Sequence, residues 1–121
     1  MTNMVRILIA DPDPVFRKAL ALLITKRLGI SFIDEANDAG SLIQKLADSH
    51  PNLLLLNWSI HGVPGPATCV LLRNTYPELK IVLLSVNSDD AAEAARVGAG
   101  FICKSDSPEK TLAVLTPILL E

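Results

Sequence analysis

Four polar side chains of different chemistry close four apolar runs of this sequence. Asp11 follows Ile7-Leu8-Ile9-Ala10, Asn57 follows Leu53-Leu54-Leu55-Leu56, Ser85 follows Ile81-Val82-Leu83-Leu84, and Lys104 follows Phe101-Ile102-Cys103. By type, these are a carboxylate that can ligate a hard cation, an amide and a hydroxyl that can hydrogen-bond, and an ammonium that can hold an anion. A second acid, Asp13, stands beyond Pro12. Each residue alone has a plainer explanation, because strands give way to polar loops at their ends. Four such ends together argue for one shared rim. No serine or cysteine nucleophile stands in a motif with a base, and no glycine-rich loop is present to cradle phosphate.

The elements that must position this rim are legible as five short apolar runs alternating with five helix-like segments, the pattern of an α/β domain with a parallel sheet. The strand candidates are Val5–Ala10, Ser31–Ala36, Asn52–Asn57, Lys80–Ser85 and Gly100–Cys103. Leu53-Leu54-Leu55-Leu56 and Ile81-Val82-Leu83-Leu84 are continuous rather than alternating, as in strands buried on both faces. Phe16, Leu20, Leu23, Ile24 and Leu28 recur at helical spacing before Gly29, which ends the first helix. Asp38 caps a second helix that stops before His50-Pro51. A third starts around Pro64-Gly65-Pro66 and stops at Tyr76, before Pro77. Ser88, Asp89 and Asp90 open a short alanine-rich fourth helix that closes at Gly98, and Ser107-Pro108-Glu109 opens the fifth. In open sheets of this kind, ligands bind beyond the carboxyl ends of the strands, where all four rim residues fall.

At 121 residues and a net charge of −2, with basic residues scattered, the chain fits one domain with no nucleic-acid surface of its own. Half of it is apolar and only 4% aromatic, so the core must be built from Leu, Ile, Val and Ala. Cys69 and Cys103 lie in apolar segments without metal-ligand spacing and read as reduced core residues. No membrane span and no signal peptide is read, so the expected location is the cytoplasm.

These rim residues carry a resemblance. The block Ile7-Leu8-Ile9-Ala10-Asp11-Pro12-Asp13-Pro14-Val15-Phe16-Arg17, the block Pro51 through Trp58, Ser85, the run Gly98-Ala99-Gly100-Phe101 and Lys104 resemble the receiver domain of two-component response regulators. The ending Lys104-Ser105-Asp106-Ser107-Pro108-Glu109 is similar to receivers that precede a helix-turn-helix output. The resemblance covers essentially all of residues 1–121. It implies a flavodoxin-like, doubly wound five-stranded parallel sheet of order 2-1-3-4-5, flanked by five helices. It also implies a role in phosphorelay signal transduction, with a histidine kinase or an output domain as partner. A homodimer could form through the fourth helix, fifth strand and fifth helix, which carry Glu93, Arg96, Phe101, Glu109 and Lys110; a solvated surface explains the same charges.

The departures from the family carry as much weight. Asn57 stands where receivers hold the aspartate that accepts phosphate, and an amide is a far poorer nucleophile. Pro12 replaces the second member of the acidic pair, Asp13 comes one residue late, and His61 replaces the usual proline. Asp11 is then the only residual metal-ligand candidate, so Mg²⁺ binding should be weak or absent, no cofactor is expected, and no enzyme activity either. The expectation is a pseudo-receiver, acting through protein contacts, with Lys104 paired to Asp11 and reaching the Asn57 carbonyl. Two other readings stay open: phosphorylation at another residue such as Ser59 or Asp13, and a structural oligomerisation module.

Overall fold

Leucine, isoleucine and valine fill both faces of the central strands and decide how this chain layers. A computed structural model describes residues 4–120. Its elements are β1 (Arg6–Ala10), α1 (Pro14–Leu28), β2 (Phe32–Ala36), α2 (Ala39–Ser49), β3 (Leu53–Asn57), β4 (Ser59–Ile60), β5 (Val63–Pro64), α3 (Gly65–Thr75), β6 (Lys80–Ser85), a 3₁₀ turn (Ser88–Asp90), α4 (Ala91–Arg96), β7 (Gly100–Cys103) and α5 (Pro108–Leu119). Five strands form one parallel sheet in the order β2-β1-β3-β6-β7. This is the expected 2-1-3-4-5 order once the separate β4–β5 hairpin is counted.

Side-chain parity splits the core in two. Ile7, Ile9, Leu53, Leu55, Val82, Leu84 and Ile102 point to the side covered by α1 and α5, with Leu20, Ile24 and Leu115. Leu8, Ala10, Leu54, Leu56, Ile81 and Leu83 point to the side covered by α2, α3 and α4, with Leu42, Leu46, Cys69 and Ala94. Leu53 through Leu56 are all at most 1% exposed, which accounts for a run with no polar alternation. Both cysteines are buried and unpaired, and burial pushes the Cys69 thiol above its ordinary pKa. Among the described residues, no helix is long and apolar enough to cross a membrane.

The helix ends follow local chemistry. Asp13 caps α1 by accepting from the Val15 and Phe16 amides, with Pro14 at the first helical position and left-handed Gly29 closing the helix. Asp38 and Ser41 form a reciprocal capping box on α2. The hydrogen bonds donated by the Ser41 amide and hydroxyl, with the charge of His61, hold the Asp38 carboxyl below its usual range. Asn87, not Ser88, caps the 3₁₀ turn, accepting from Asp89 N. Sequence reading missed β4 and β5, a hairpin closed by His61 (φ 47°) and Gly62 (φ 84°), the left-handed pair that two-residue hairpin turns favour.

Gly65 is where α3 leaves the hairpin. A Cβ there would lie 2.9 Å from the Asn57 carbonyl oxygen and 3.0 Å from that of Trp58. Both are backbone atoms of the segment that ends β3, and Gly65 N already donates to Trp58 O at 2.7 Å. Gly65→Ala is therefore expected to lower stability by about 1–3 kcal/mol, read as a shift in the urea midpoint at constant m. A loss below about 0.5 kcal/mol would show that α3 gives way instead.

Candidate functional site

The rim is the carboxyl edge of β1, β3, β6 and β7, and parity decides which of its side chains meet. Asp11 continues β1, donating its N–H to Ala36 O at 3.0 Å, and Lys104 continues β7, donating its N–H to Ser85 O at 2.7 Å. Two residues past Ile9 and Ile102, and so of the same parity, both side chains fall on the α1/α5 side. There Lys104 Nζ stands 2.6 Å from Oδ2 of Asp11, which is 0% exposed. The ion pair is close, yet its angles lie outside hydrogen-bond geometry, so Oδ2 has a charge partner and no aligned donor. Oδ1 accepts from Asp13 N at 2.9 Å. Phe16 of α1 offers its ring face to the same ammonium, 4.7 Å from the centroid.

Asn57 goes elsewhere. Its amide nitrogen donates to the Ser59 carbonyl at 2.6 Å, which ties the end of β3 to the hairpin. The expected Lys104–Asn57 contact is not among the hydrogen bonds of the described residues: Lys104 pairs with Asp11, and the Asn57 amide nitrogen is engaged by its own loop. Ser85 has the opposite parity to Asp11 and Lys104 and faces α4. Its hydroxyl donates to Asp90 Oδ2 at 2.6 Å and accepts from Asn87 N at 3.0 Å. Asp89 and Asp90 thus differ in role, although the sequence presents them as one acidic pair. Phe101 is half-buried on the α2–α4 side and meets Trp58 edge to face, with centroids 6.4 Å apart.

Sequence reasoning missed the support behind Asp11. Arg17 Nη1 donates to the Asp11 carbonyl at 2.6 Å, while its Nε donates to Glu35 Oε1 at 3.0 Å and Lys18 donates to Oε2 at 2.9 Å. Partial burial pushes the Glu35 carboxyl up, but the hydrogen bonds and charges of Lys18 and Arg17 outweigh it, leaving the group below its usual range. The available signal was Arg17 in the first turns of α1, facing the end of a neighbouring parallel strand.

The charges of the candidate contact face are paired within the chain. Glu93 and Arg96 form a two-pronged pair at 2.9 and 2.6 Å, Glu109 lies 3.9 Å from Arg27, and Lys110 lies 3.5 Å from Asp106. Each pair has at least one exposed partner and contributes little to stability. His50 ends α2 and His61 turns the hairpin, both in the left-handed region. Among the described residues, no three His, Cys, Asp or Glu side chains gather at metal-ligating spacing.

The response regulator receiver domain family matches residues 7–116. The glycerol metabolism activator of Pseudomonas putida is 33% identical over 121 residues, covering 96% of this chain and 54% of that protein. The nitrate/nitrite response regulator protein NarL of Escherichia coli strain K12 is 30% identical over 112 residues, covering 90% and 52%. The chain therefore spans about half the length of the curated relatives it matches. Among solved structures, a LuxR-family two-component response regulator from Aurantimonas sp. SI85-9A1 superposes with a TM-score of 0.85 at 25% identity, covering 98% of this chain and 86% of that one. The receiver domain of NtrX from Brucella abortus gives 0.83 at 28% identity, covering 94% and 98%. The family match begins in β1, ends in α5 and leaves no part of the rim outside it: the chain belongs to the response regulator receiver domain family of two-component signalling.

Proposed function

We propose that this receiver acts through protein contacts and without phosphoryl transfer to residue 57. The observation that carries the proposal is the engaged amide of Asn57, a side chain that is neutral, weakly nucleophilic and bonded to Ser59 O. The magnesium ion that the family implies does not fit the residues present. Asp11 has one oxygen held by a backbone N–H and the other beside an ammonium. Pro12 has no side-chain oxygen, and Asp13 is occupied as the cap of α1. A hard dication needs several charged oxygen ligands, and here one carboxylate would have to leave Lys104 to supply them.

The partner is then a histidine kinase or an output domain that reads the surface of α4, β7 and α5, the face through which two copies could also meet. The P. putida relative named as an activator supports a transcriptional output, in the cytoplasm, while this domain itself contacts no nucleic acid. The direct test is incubation with acetyl phosphate and Mg²⁺, followed by mass measurement. We expect no mass gain, no change in oligomeric state, and an Mg²⁺ dissociation constant, read from Trp58 fluorescence, weaker than the low millimolar range. A gain of one phosphoryl group mapped to Ser59 or Asp13 would replace this reading with a receiver phosphorylated elsewhere.

A further inference from the structure

Helices α1 and α5 do not close over each other. A cleft of about 430 Å³ lies between them, within the size range of sites for small molecules. Phe16, Ala19, Leu20, Leu22 and Leu23 of α1 and Pro108 at the start of α5 give it apolar walls, and Leu22 leaves 56% of its surface in water. A ligand with an apolar body gains by covering that surface. The charges on the cleft are uneven. Lys104 is taken by Asp11 at 2.6 Å, and Asp106 by Lys110 at 3.5 Å. Arg27 has only a 3.9 Å contact with Glu109, between two exposed side chains. Lys26 has no ion-pair or hydrogen-bond partner among the described residues. An apolar cleft edged by one unpaired and one loosely paired cation favours an anion.

A buried hydroxyl points to a ligand independently. Thr111 lines the cleft and is only 7% exposed, yet its Oγ1 has no hydrogen-bond partner among the described residues. Thr68 holds the same position in α3, four residues past the cap, and donates to Pro64 O at 2.7 Å; Thr116 likewise donates to Leu112 O at 2.8 Å. Thr111 does not turn back to its own helix, and an unpaired buried hydroxyl carries a cost that a ligand oxygen would remove.

We propose that this cleft binds an amphipathic carboxylate, its apolar body between α1 and α5 and its carboxylate on Lys26, Arg27 and the Thr111 hydroxyl. The Arg27–Glu109 contact brings the last turn of α1 to the first turn of α5, next to the turn that holds Thr111, so one head group can meet all three. The inference does not depend on the chemistry of residue 57.

Titration of the 121-residue chain with octanoate, read from backbone amide NMR shifts, tests it, with octan-1-ol as the probe that keeps the apolar body and loses the charge. Octanoate should shift the amides of Ala19, Leu23, Lys26 and Thr111 saturably and leave Leu42 and Leu72, on the other side of the sheet, in place. Octan-1-ol should bind about fivefold more weakly, the scale of one solvent-exposed ion contact. Lys26→Met keeps the apolar stem, so it should lose about the same factor for octanoate and nothing for octan-1-ol. Thr111→Val keeps the shape and should weaken octanoate by about threefold. Ala19→Trp, at an exposed position on the cleft, should abolish binding of both probes. Equal affinity for acid and alcohol overturns the proposal, as does octanoate binding that Lys26→Met or Thr111→Val leaves unchanged, or the absence of saturable shifts in the cleft. A dimer that Ala19→Trp dissociates would mean that a second copy covers the cleft, and overturns it too.

Discussion

Replacing Lys104 by methionine is expected to cost the fold about 3 kcal/mol, the low end of what breaking a buried ion pair costs. The low end applies because the lysine keeps 14% exposure while Asp11 has none. Methionine retains the apolar stem against Phe16 but removes the charge, leaving a carboxylate that is fully buried and has one oxygen with no other partner. Asp11→Asn should cost less, because a neutral amide tolerates burial better than an unpaired charge. The double variant should recover much of the loss from Lys104→Met alone. Urea unfolding of the four proteins checks this as a double-mutant cycle. If Lys104→Met costs under about 1 kcal/mol, the pair behaves as a surface bridge and the rim is wetter than its geometry indicates.

The second large effect concerns chemistry. Asn57→Asp combined with Pro12→Asp is expected to regain Mg²⁺ binding and to be labelled by acetyl phosphate at least about tenfold more than Asn57→Asp alone, because a metal neutralising the transferring group is worth several kcal/mol. The single variant gains a carboxylate but no second acid beside Asp11. It also loses a donor: the oxygen replacing Nδ2 would face the Ser59 carbonyl across 2.6 Å, acceptor against acceptor. That repulsion, with Asp11 on the adjacent strand, should lower stability by about 1 kcal/mol and raise the pKa of the introduced carboxylate. A group whose folded pKa is raised takes up protons on folding, so the single variant should lose stability as pH rises through and above the ordinary carboxylate range, and regain it below. Mass spectrometry after acetyl phosphate decides the chemical half. Equal labelling of single and double variants would show that Pro12 is no defect.

The fold was readable because its signals are strong. Leu53 through Leu56 and Ile81 through Leu84 are too apolar for anything but buried strands, and Gly29, Asp38 and Ser107 mark helix ends by their own chemistry. The site was harder, because residue type does not say which way a side chain turns. Asp13 read as a late member of the acidic pair or an alternative phosphate acceptor, and it caps α1. Asn87, Ser88, Asp89 and Asp90 can all cap, so sequence could not say that Asn87 caps while Asp90 reaches back to Ser85. Ser85 and Lys104 end neighbouring strands, yet face opposite sides of the sheet. The hairpin escaped notice because two strands of two residues each, one holding Pro64, carry no periodicity to detect.

The strand order also bears on how the chain assembles in time. β1 lies between β2 and β3, and the register joins Ile7 to Leu53 across 46 residues. Every ladder in the sheet is parallel, so none can begin as a local hairpin and each must wait for an intervening helix. Loop closure of this length precedes the contacts that reward it, and parallel sheets fold slowly for that reason. During synthesis β1 can be flanked on both sides only after residue 57 has left the ribosome, and until then its Ile7-Leu8-Ile9 run has an open edge that other chains can pair with.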